Sequence, residues 1–458
     1  MQISTNSRVE PSMSLANPHP ANTSPLQKLA LALVGIAVSI ALIAWASGKA
    51  FYPAVTLPLS LILATVGTIL YTYASYAHEP AGIKNNGVFF RDINYRGVSA
   101  WILGVMFTFF YICLYWFPGW LKGLIELFNP LSQLLQNKPA NQWFAYGSIY
   151  TIAVLVMGIK FGYKYRHNRY QLIRTMSVMF FQLIFSFLIP AFLVFLNEPE
   201  FYFSYFWPLK KEYLFPNDLS YFMKQGNLGV FMAWWAIIMA LVAVPILTYF
   251  FGKRWYCSWV CGCGGLAETA GDPFRHLSDK SLRAWKIERY LVHGVLVFIV
   301  ITTLLLWANS IYKGEILGDT GKNWAKVYGF LISSMFAGVI GTGFYPIFGA
   351  RVWCRFGCPQ AAILGIFQRF FSRFRITTNG GQCISCGNCS TYCEMGIDVR
   401  AYAQRGQNIV RASCVGCGIC AAVCPRGVLK LENSSMNILE RTDKLRTVHI
   451  SESDVRIL

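Results

Sequence analysis

Cys383-Ile384-Ser385-Cys386-Gly387-Asn388-Cys389-Ser390-Thr391-Tyr392-Cys393 and, further on, Cys414-Val415-Gly416-Cys417-Gly418-Ile419-Cys420-Ala421-Ala422-Val423-Cys424 repeat one spacing, C-x2-C-x2-C-x3-C. Pro425 follows the second copy. This is the spacing with which a short chain holds two [4Fe–4S] clusters. Three thiolates from one tight turn cap one cluster, and the fourth, on the short helix that follows, reaches the other. The spacing therefore assigns Cys383, Cys386, Cys389 and Cys424 to one cluster, and Cys393, Cys414, Cys417 and Cys420 to the second. Gly387, Ser390, Gly416, Gly418, Ala421 and Ala422 are small, which leaves room for the clusters and frees backbone N–H groups for their sulfurs. Zinc ribbons use two C-x2-C pairs around a spacer, so the doubled four-cysteine spacing argues against zinc. Glu394 stands where proline follows the fourth cysteine of the second copy. A carboxylate near a cluster lowers its potential, an effect that solvent exposure would remove.

The rest of the chain has a different composition. Of 458 residues, 55% are hydrophobic and 13% charged, against roughly 25% charged in a typical globular domain. The 35 Phe, 24 Tyr and 14 Trp suit a bilayer protein with aromatic belts. A spanning helix needs about 20 mainly apolar residues. Eight segments qualify: 29–48, 54–76, 98–117, 143–161, 175–196, 228–250, 290–309 and 326–348. Pro58, Pro190 and Pro245 fall inside three of them. The first apolar run begins too late for a signal peptide and reads as a retained helix.

With the N-terminus inside, most of the 40 Lys and Arg lie on the side that carries both termini. That asymmetry predicts a cytoplasmic N-terminus and a cytoplasmic cysteine domain. It also accounts for the net charge of +19 through membrane topology and contact with anionic lipid, without nucleic acid as a partner. Residues 118–142 read as an interfacial amphipathic helix. Residues 199–223, dense in aromatics, read as an interfacial belt, with a quinone-access surface or a partner site as the functional alternative. Residues 367–375 alternate aromatic and basic residues and read as a helix on the membrane surface.

Thirteen of the 14 cysteines follow residue 256; only Cys113 lies alone, in an apolar run. Grouped thiols beside basic loops favour metal or redox chemistry over a disulfide scaffold. Besides the eight above, Arg254-Trp255-Tyr256-Cys257-Ser258-Trp259-Val260-Cys261 follows the sixth predicted span, and Arg351-Val352-Trp353-Cys354-Arg355-Phe356-Gly357-Cys358-Pro359 follows the eighth. Both read R-x2-C-x3-C, which suggests an internal repeat. On a helix this spacing puts both thiols on one face. Two such motifs would bring four thiols together as a further iron–sulfur cluster, a soft-metal site for copper(I), a dithiol–disulfide couple or plain structure. Arg254, Arg351 and Arg355 would favour thiolate. Cys263 adds a fifth thiol among glycines that suggest close backbone approach to something bulky.

His78 and His293, both near the cytoplasmic ends of predicted spans, form a weak candidate pair for haem; polar edge contacts are the simpler reading. There is no haem-attachment motif, dinucleotide fingerprint or P-loop. Glu126, Glu198 and Glu268 near membrane edges read as solvated carboxylates, with quinone proton relay as the functional alternative.

The combination of a multi-helix membrane part, two R-x2-C-x3-C motifs and a C-terminal two-cluster ferredoxin resembles the NapH/NosR/CcoG superfamily of membrane polyferredoxins. The resemblance covers roughly residues 228–432, and Cys393-Glu394-Met395-Gly396-Ile397-Asp398-Val399-Arg400 looks like the ferredoxin domains of the NosR and CcoG branches. Gly262 replaces the proline that usually ends the first motif. Neither the flavin-binding domain of NosR-like chains nor the added β-domain of CcoG-like chains is expected here, which leaves the branch open. The resemblance implies electron transfer at the bacterial inner membrane: from quinol in NapH-like members, toward nitrous oxide reduction in NosR-like members, and for copper reduction during oxidase assembly in CcoG-like members.

The expected protein is thus an α-helical integral membrane protein of about eight transmembrane helices with a C-terminal α+β ferredoxin-like domain. Its parts are a disordered N-terminus (1–26), six spans (27–250), two spans with flanking cysteine motifs (251–366), a two-cluster domain (367–432) and a tail (433–458) without a clear core pattern. Its expected role is electron transfer between the quinone pool and a partner protein, as a subunit of a larger oxidoreductase complex. The alternative is a copper-reducing assembly factor with its metal at Cys257, Cys261, Cys354 and Cys358, beside which Cys263 extends the possible redox or metal site.

Overall fold

Apolar runs of this length satisfy their backbone N–H and C=O groups in lipid only by forming helices. In a computed structural model, which describes residues 23–77, 95–315, 318–433, 448–451 and 454–457, they do so. Seven helices among the described residues are long and apolar enough to cross a membrane. They are α1 (Pro25–Ser47), α2 (Pro53–Tyr76), α3 (Val98–Trp116), α4 (Gln142–Lys164), α5 (Arg169–Phe195), α6 (Gly226–Phe251) and α7 (Leu282–Ile311). The chain is therefore a mostly helical, multi-pass membrane protein. The predicted disordered residues 1–22 and His78 lie outside the described residues.

The eighth predicted span is not among these seven. Its chain runs as a helix over Asp319–Tyr328 and continues as a π-helical stretch over Gly329–Ile340. It lies antiparallel to α7. Trp324 donates to Thr302 (3.0 Å), Tyr328 packs on Phe298 (ring centroids 5.0 Å apart), and Arg355, past its end, pairs with Glu288 (2.7 Å). The segment thus returns the chain to the end of the bundle where α7 began.

Two of the three prolines explain irregularities. Pro190 and Pro245 sit in the first turn of restarted α-helix, each just after a π-helical stretch (Phe181–Leu188 and Met239–Ala243). A proline lacks the N–H and clashes with the carbonyl four residues back, and the widened turn absorbs both. Pro58 remains inside α2.

Three expectations change at the surface. The interfacial helix is broken: a 3-10 turn Pro118–Leu121 leads into short helices Lys122–Leu127 and Asn129–Gln136, which bury Leu124 and Leu127 and expose Leu134. The aromatic stretch after α5 is not a simple belt, since Phe201 and Phe206 are fully buried. It folds inward until the Tyr256 hydroxyl donates to Ser204 O (3.0 Å) and Phe206 packs on Tyr256 (4.6 Å). Non-helical backbone tolerates such depth because protein covers it. The basic–aromatic stretch 367–375 is not one helix: helix α8 (Pro359–Phe370) ends within it, and Phe374 and Arg375 begin a strand.

That strand, β1 (Phe374–Thr378), pairs antiparallel with β2 (Leu429–Asn433), with Phe374 opposite Asn433 and Thr378 opposite Leu429. The pairing closes the cysteine-rich segment into one unit whose core includes Phe374, Ile376, Met395, Ile397, Ile409 and Leu429. In the tail, where no core pattern was expected, β3 (Val448–Ser451) and β4 (Asp454–Ile457) form a separate antiparallel pair.

Candidate metal centres

The cysteine-rich unit is built twice over. Ser385 and Gly416 hold equivalent places before the second cysteine of each copy, with φ of 59° and 64°. Gly387 and Gly418 follow that cysteine at φ of 79° and 74°, and Gly396 and Gly427 lie three residues past the fourth at 65° and 63°. Each left-handed residue turns the chain back so that successive thiols converge. Short helices then start, Asn388–Thr391 in one copy and Ile419–Ala422 in the other.

The turns form two small cysteine-lined cavities of similar size. Cys383, Cys386, Cys389 and Cys424 line the first; Cys393, Cys414, Cys417 and Cys420 line the second. The fourth cysteine of each copy lines the cavity formed by the other copy's turn. The second cavity faces the membrane part, which grips its loop through backbone carbonyls. Lys253 Nζ donates to Ala412 O (3.1 Å), Gln368 Nε2 to Cys414 O (2.7 Å) and Ser258 Oγ to Val415 O (2.8 Å). Tyr170 Oη donates to Gly416 O and Gln171 Nε2 to Cys417 O (2.9 and 2.8 Å). The first cavity lies on the far side, with Ile384, Arg400 and Arg426 exposed around it.

A Cβ on Gly418 would stand 2.9 Å from the Tyr170 ring, at a φ that side chains avoid. Gly418→Ala should therefore cost the unit about 1–3 kcal/mol, read as a shift in denaturant midpoint. An unchanged midpoint would refute the close docking of Tyr170.

The two R-x2-C-x3-C motifs share a local geometry, but neither is a continuous helix. Cys257 ends a helical turn (Arg254–Cys257), and Cys261 immediately precedes the helix Gly262–Thr269. Cys354 lies in a π-helical turn (Trp353–Gly357), and Cys358 caps α8, its sulfur accepting from Ala361 N (3.4 Å). In both, the second cysteine's N–H reaches back five residues, Cys261 to Tyr256 O (2.8 Å) and Cys358 to Trp353 O (2.9 Å). All four thiols are buried. Cys263 packs against both the cluster that contains Cys257 and Cys261 and the one that contains Cys354 and Cys358. Burial pushes the Cys257 thiol up to about 12. A hydrogen bond with Cys263 instead brings Cys261 down to about 7, against the effect of burial. The glycines around Cys263 do admit bulky neighbours: a Cβ on Gly264 would stand 2.1 Å from Cys257 O, and one on Gly265 2.5 Å from Val178.

The three arginines beside these thiols have three fates. Arg351 touches one, Nη1 lying 3.7 Å from Cys354 Sγ and 3.3 Å from Cys257 O. Arg254 turns to the ferredoxin strand, over the Phe374 ring (4.4 Å). Arg355 pairs with Glu288. Despite Arg351, burial keeps the Cys354 thiol above its ordinary value.

Between the thiols and the second cavity lies a buried ion network that the sequence reading missed. Glu268 is not solvated but 2% exposed, paired with Arg174 and with Arg351 (2.7 Å). Glu394 is 1% exposed and pairs with Arg351 (2.9 Å) and Arg275 (3.2 Å). Asp272 joins Arg275 (2.9 Å) and Lys164. Carboxylate oxygens of Glu268 and Glu394 and the Cys417 sulfur all lie within 4.8 Å of one another. Despite burial, Arg351 and Arg275 hold the Glu394 carboxyl below the usual carboxylate range. Four cations face three carboxylates. A buried excess charge is costly unless an opposite charge is close; the nearest sulfurs are those of Cys354, against Arg351, and Cys417, against Glu268 and Glu394. Arg351 and Arg355 were singled out for their place beside cysteines; nothing local marked Arg174 or Arg275. His293 is half-buried and bonds within its own helix, to Arg289 O (2.6 Å).

Comparison with known proteins finds iron–sulfur domain models in two parts of the chain. Residues 382–429 match the 4Fe-4S dicluster domain, and residues 232–281 and 328–377 each match a 4Fe-4S binding domain. The second pair of matches bears out the internal repeat around Cys257–Cys261 and Cys354–Cys358. The chain is similar to the putative electron transport protein YccM of Escherichia coli, 29% identical over 194 residues, which cover 40% of this chain and 52% of that protein. It is also similar to the methylamine utilization ferredoxin-type protein MauN, at 28% identity in both Methylobacillus flagellatus and Paracoccus denitrificans, covering 34% and 36% of this chain and 53% and 58% of those proteins. The chain spans about half the length of the curated relatives it matches. No solved structure matches it. The chain thus carries ferredoxin-type 4Fe-4S domains at its C-terminal end and around both membrane-edge motifs.

Proposed function

We propose that this protein passes single electrons between the quinone pool and a soluble or subunit partner, through a thiol-held centre at the membrane edge and two ferredoxin clusters. The observation that carries the reading is the succession of three thiol groups, each next to the following one. Membrane-edge cysteines come first, then the cavity of Cys393, Cys414, Cys417 and Cys420, then that of Cys383, Cys386, Cys389 and Cys424.

All-cysteine cavities, a network with surplus positive charge and short glycine-rich turns fit [4Fe–4S] clusters, which supply one-electron transfer when bound. In this reading each cavity's four cysteines hold one cluster. Cys257, Cys261, Cys354 and Cys358 hold the third centre, and Cys263 donates a hydrogen bond to Cys261 from outside it. Arg351 orients Cys354 and carries charge between the two centres. The carbonyl grip on residues 412–417 keeps the second cavity at a fixed distance from the membrane part. The basic residues at the cysteine end of the bundle, among them Lys164, Arg166, Arg169 and Lys280, support a cytoplasmic position in a bacterial inner membrane.

Anaerobic purification with iron, sulfide and copper counts, followed by EPR after addition of a quinol, tests this. About twelve iron per chain, reduced by quinol, is expected. About eight would remove the third cluster. Eight with stoichiometric copper and no response to quinol would replace the carrier by the copper-handling assembly factor.

A further inference from the structure

Where α7 enters the bundle, its first turns, α8 and the ferredoxin loop border an open cavity of about 340 Å³. Five cations line it: Lys253, Arg289, Arg355, Arg369 and Arg411. The one carboxylate in its wall, Glu288, is already engaged by Arg355 Nε (2.7 Å) and the Ser413 hydroxyl. The cavity therefore carries a large unbalanced positive charge.

A second observation is independent of that count. Arg355 is 3% exposed, and its Nη2 has no hydrogen-bond partner among the described residues, although Nε and Nη1 are bound by Glu288 and by Asp279 O (2.6 Å). A buried guanidinium N–H left unbonded is costly and marks a place for an acceptor. Arg289 and Arg411 both stack on Trp285, each 4.6 Å from the ring, which fixes two more guanidinium groups.

The rest of the wall is mixed: Val292, Ile366 and Phe370 are apolar, while His293, Cys354 and Tyr402 bring polar atoms. Leu291 and Tyr290 on α7, and Phe370 and Phe371 at the end of α8, are exposed beside it, at the level where the spans begin. Cations in the wall, exposed hydrocarbon beside it and a position at the bundle's edge match one chemistry: a phosphate group with acyl chains attached. A neutral ring would leave the charge unbalanced.

We infer that this cavity binds the phosphate of an anionic phospholipid. Because Lys253, Arg411 and Ser413 also hold the ferredoxin loop, the bound headgroup joins the membrane part to the ferredoxin unit.

The test uses the full-length protein, delipidated in detergent and titrated with phosphatidylglycerol, phosphatidylcholine, inorganic phosphate and a short-chain quinone. Phosphatidylglycerol should bind selectively and raise the melting temperature, and wild-type protein should retain it in native mass spectra. In Arg289→Gln/Arg369→Gln, where both side chains are exposed on helices, affinity should fall roughly thirtyfold, the effect of removing two near-surface cations. Unchanged helix circular dichroism and iron content show that the variant is folded. Equal binding of phosphatidylcholine, or unaltered affinity in the folded variant, would overturn the inference. Inorganic phosphate binding as tightly as the lipid would overturn the lipid as its source. Displacement of the lipid by the short-chain quinone would reassign the cavity to the quinone. None of these outcomes alters the iron count on which the electron-carrier reading stands.

Discussion

Glu394→Gln should raise the reduction potential of the cluster proposed at Cys393, Cys414, Cys417 and Cys420 by on the order of 100 mV. The carboxylate is buried, ionised and close to Cys417. A unit charge at about 7 Å in a medium of effective dielectric near 20 is worth roughly 2 kcal/mol, which for one electron is close to that figure. The same change leaves Arg275 and Arg351 facing a neutral amide. Breaking a buried pair typically costs about 3–5 kcal/mol, so the ferredoxin unit should also unfold or detach at lower denaturant. Glu394→Asp keeps the charge and separates the two effects: stability should fall while the potential moves little. Redox titration followed by EPR measures the first effect and denaturant titration the second. A potential unmoved in Glu394→Gln would mean that the arginines and solvent screen the carboxylate from the cluster.

Paired cysteine substitutions should show which thiols act together. Cys383→Ser and Cys424→Ser are 41 positions apart in sequence but line one cavity. Each should abolish or convert the same cluster, and the double variant should lose about four iron, no more than either alone. Cys414→Ser with Cys424→Ser lie in one copy of the motif but in different cavities. That pair should lose about eight iron and both ferredoxin EPR signals. The opposite pattern, additive loss for the first pair and a single loss for the second, would show that each copy holds its own cluster. Iron analysis beside EPR of the four variants decides between them.

The ferredoxin-type domain was legible because its cysteine pattern is local. Cys383, Cys386 and Cys389 belong to one turn, so their spacing alone specifies convergence; even the crossing of Cys393 and Cys424 follows from the short helix after each turn. The spans were legible for a similar reason, since a run of apolar residues has few ways to exist in lipid. The segment 326–348 was harder. Lys326, Gly329, Gly338 and Gly341 dilute its hydropathy, and its place beside α7 rests on Trp324 and Tyr328 meeting residues far back in the chain.

Glu268 and Glu394 could not be read in the same way. Taken alone, a carboxylate at a membrane edge reads as solvated, because burying a lone charge is prohibitive. What makes burial possible is Arg174 on α5, Arg275 in the loop after α6 and Arg351 past the eighth segment, which are remote in sequence and adjacent only once the bundle has formed. By itself the sequence determined the membrane helices, the internal repeat and the iron–sulfur chemistry, all of which depend on neighbours a few residues away. Tertiary structure alone decided that the thiol motifs meet, that one ferredoxin cavity faces the membrane part and that an ion network joins them. Those features depend on the summed Coulomb energy of charges brought together from distant parts of the chain, which no local spacing encodes.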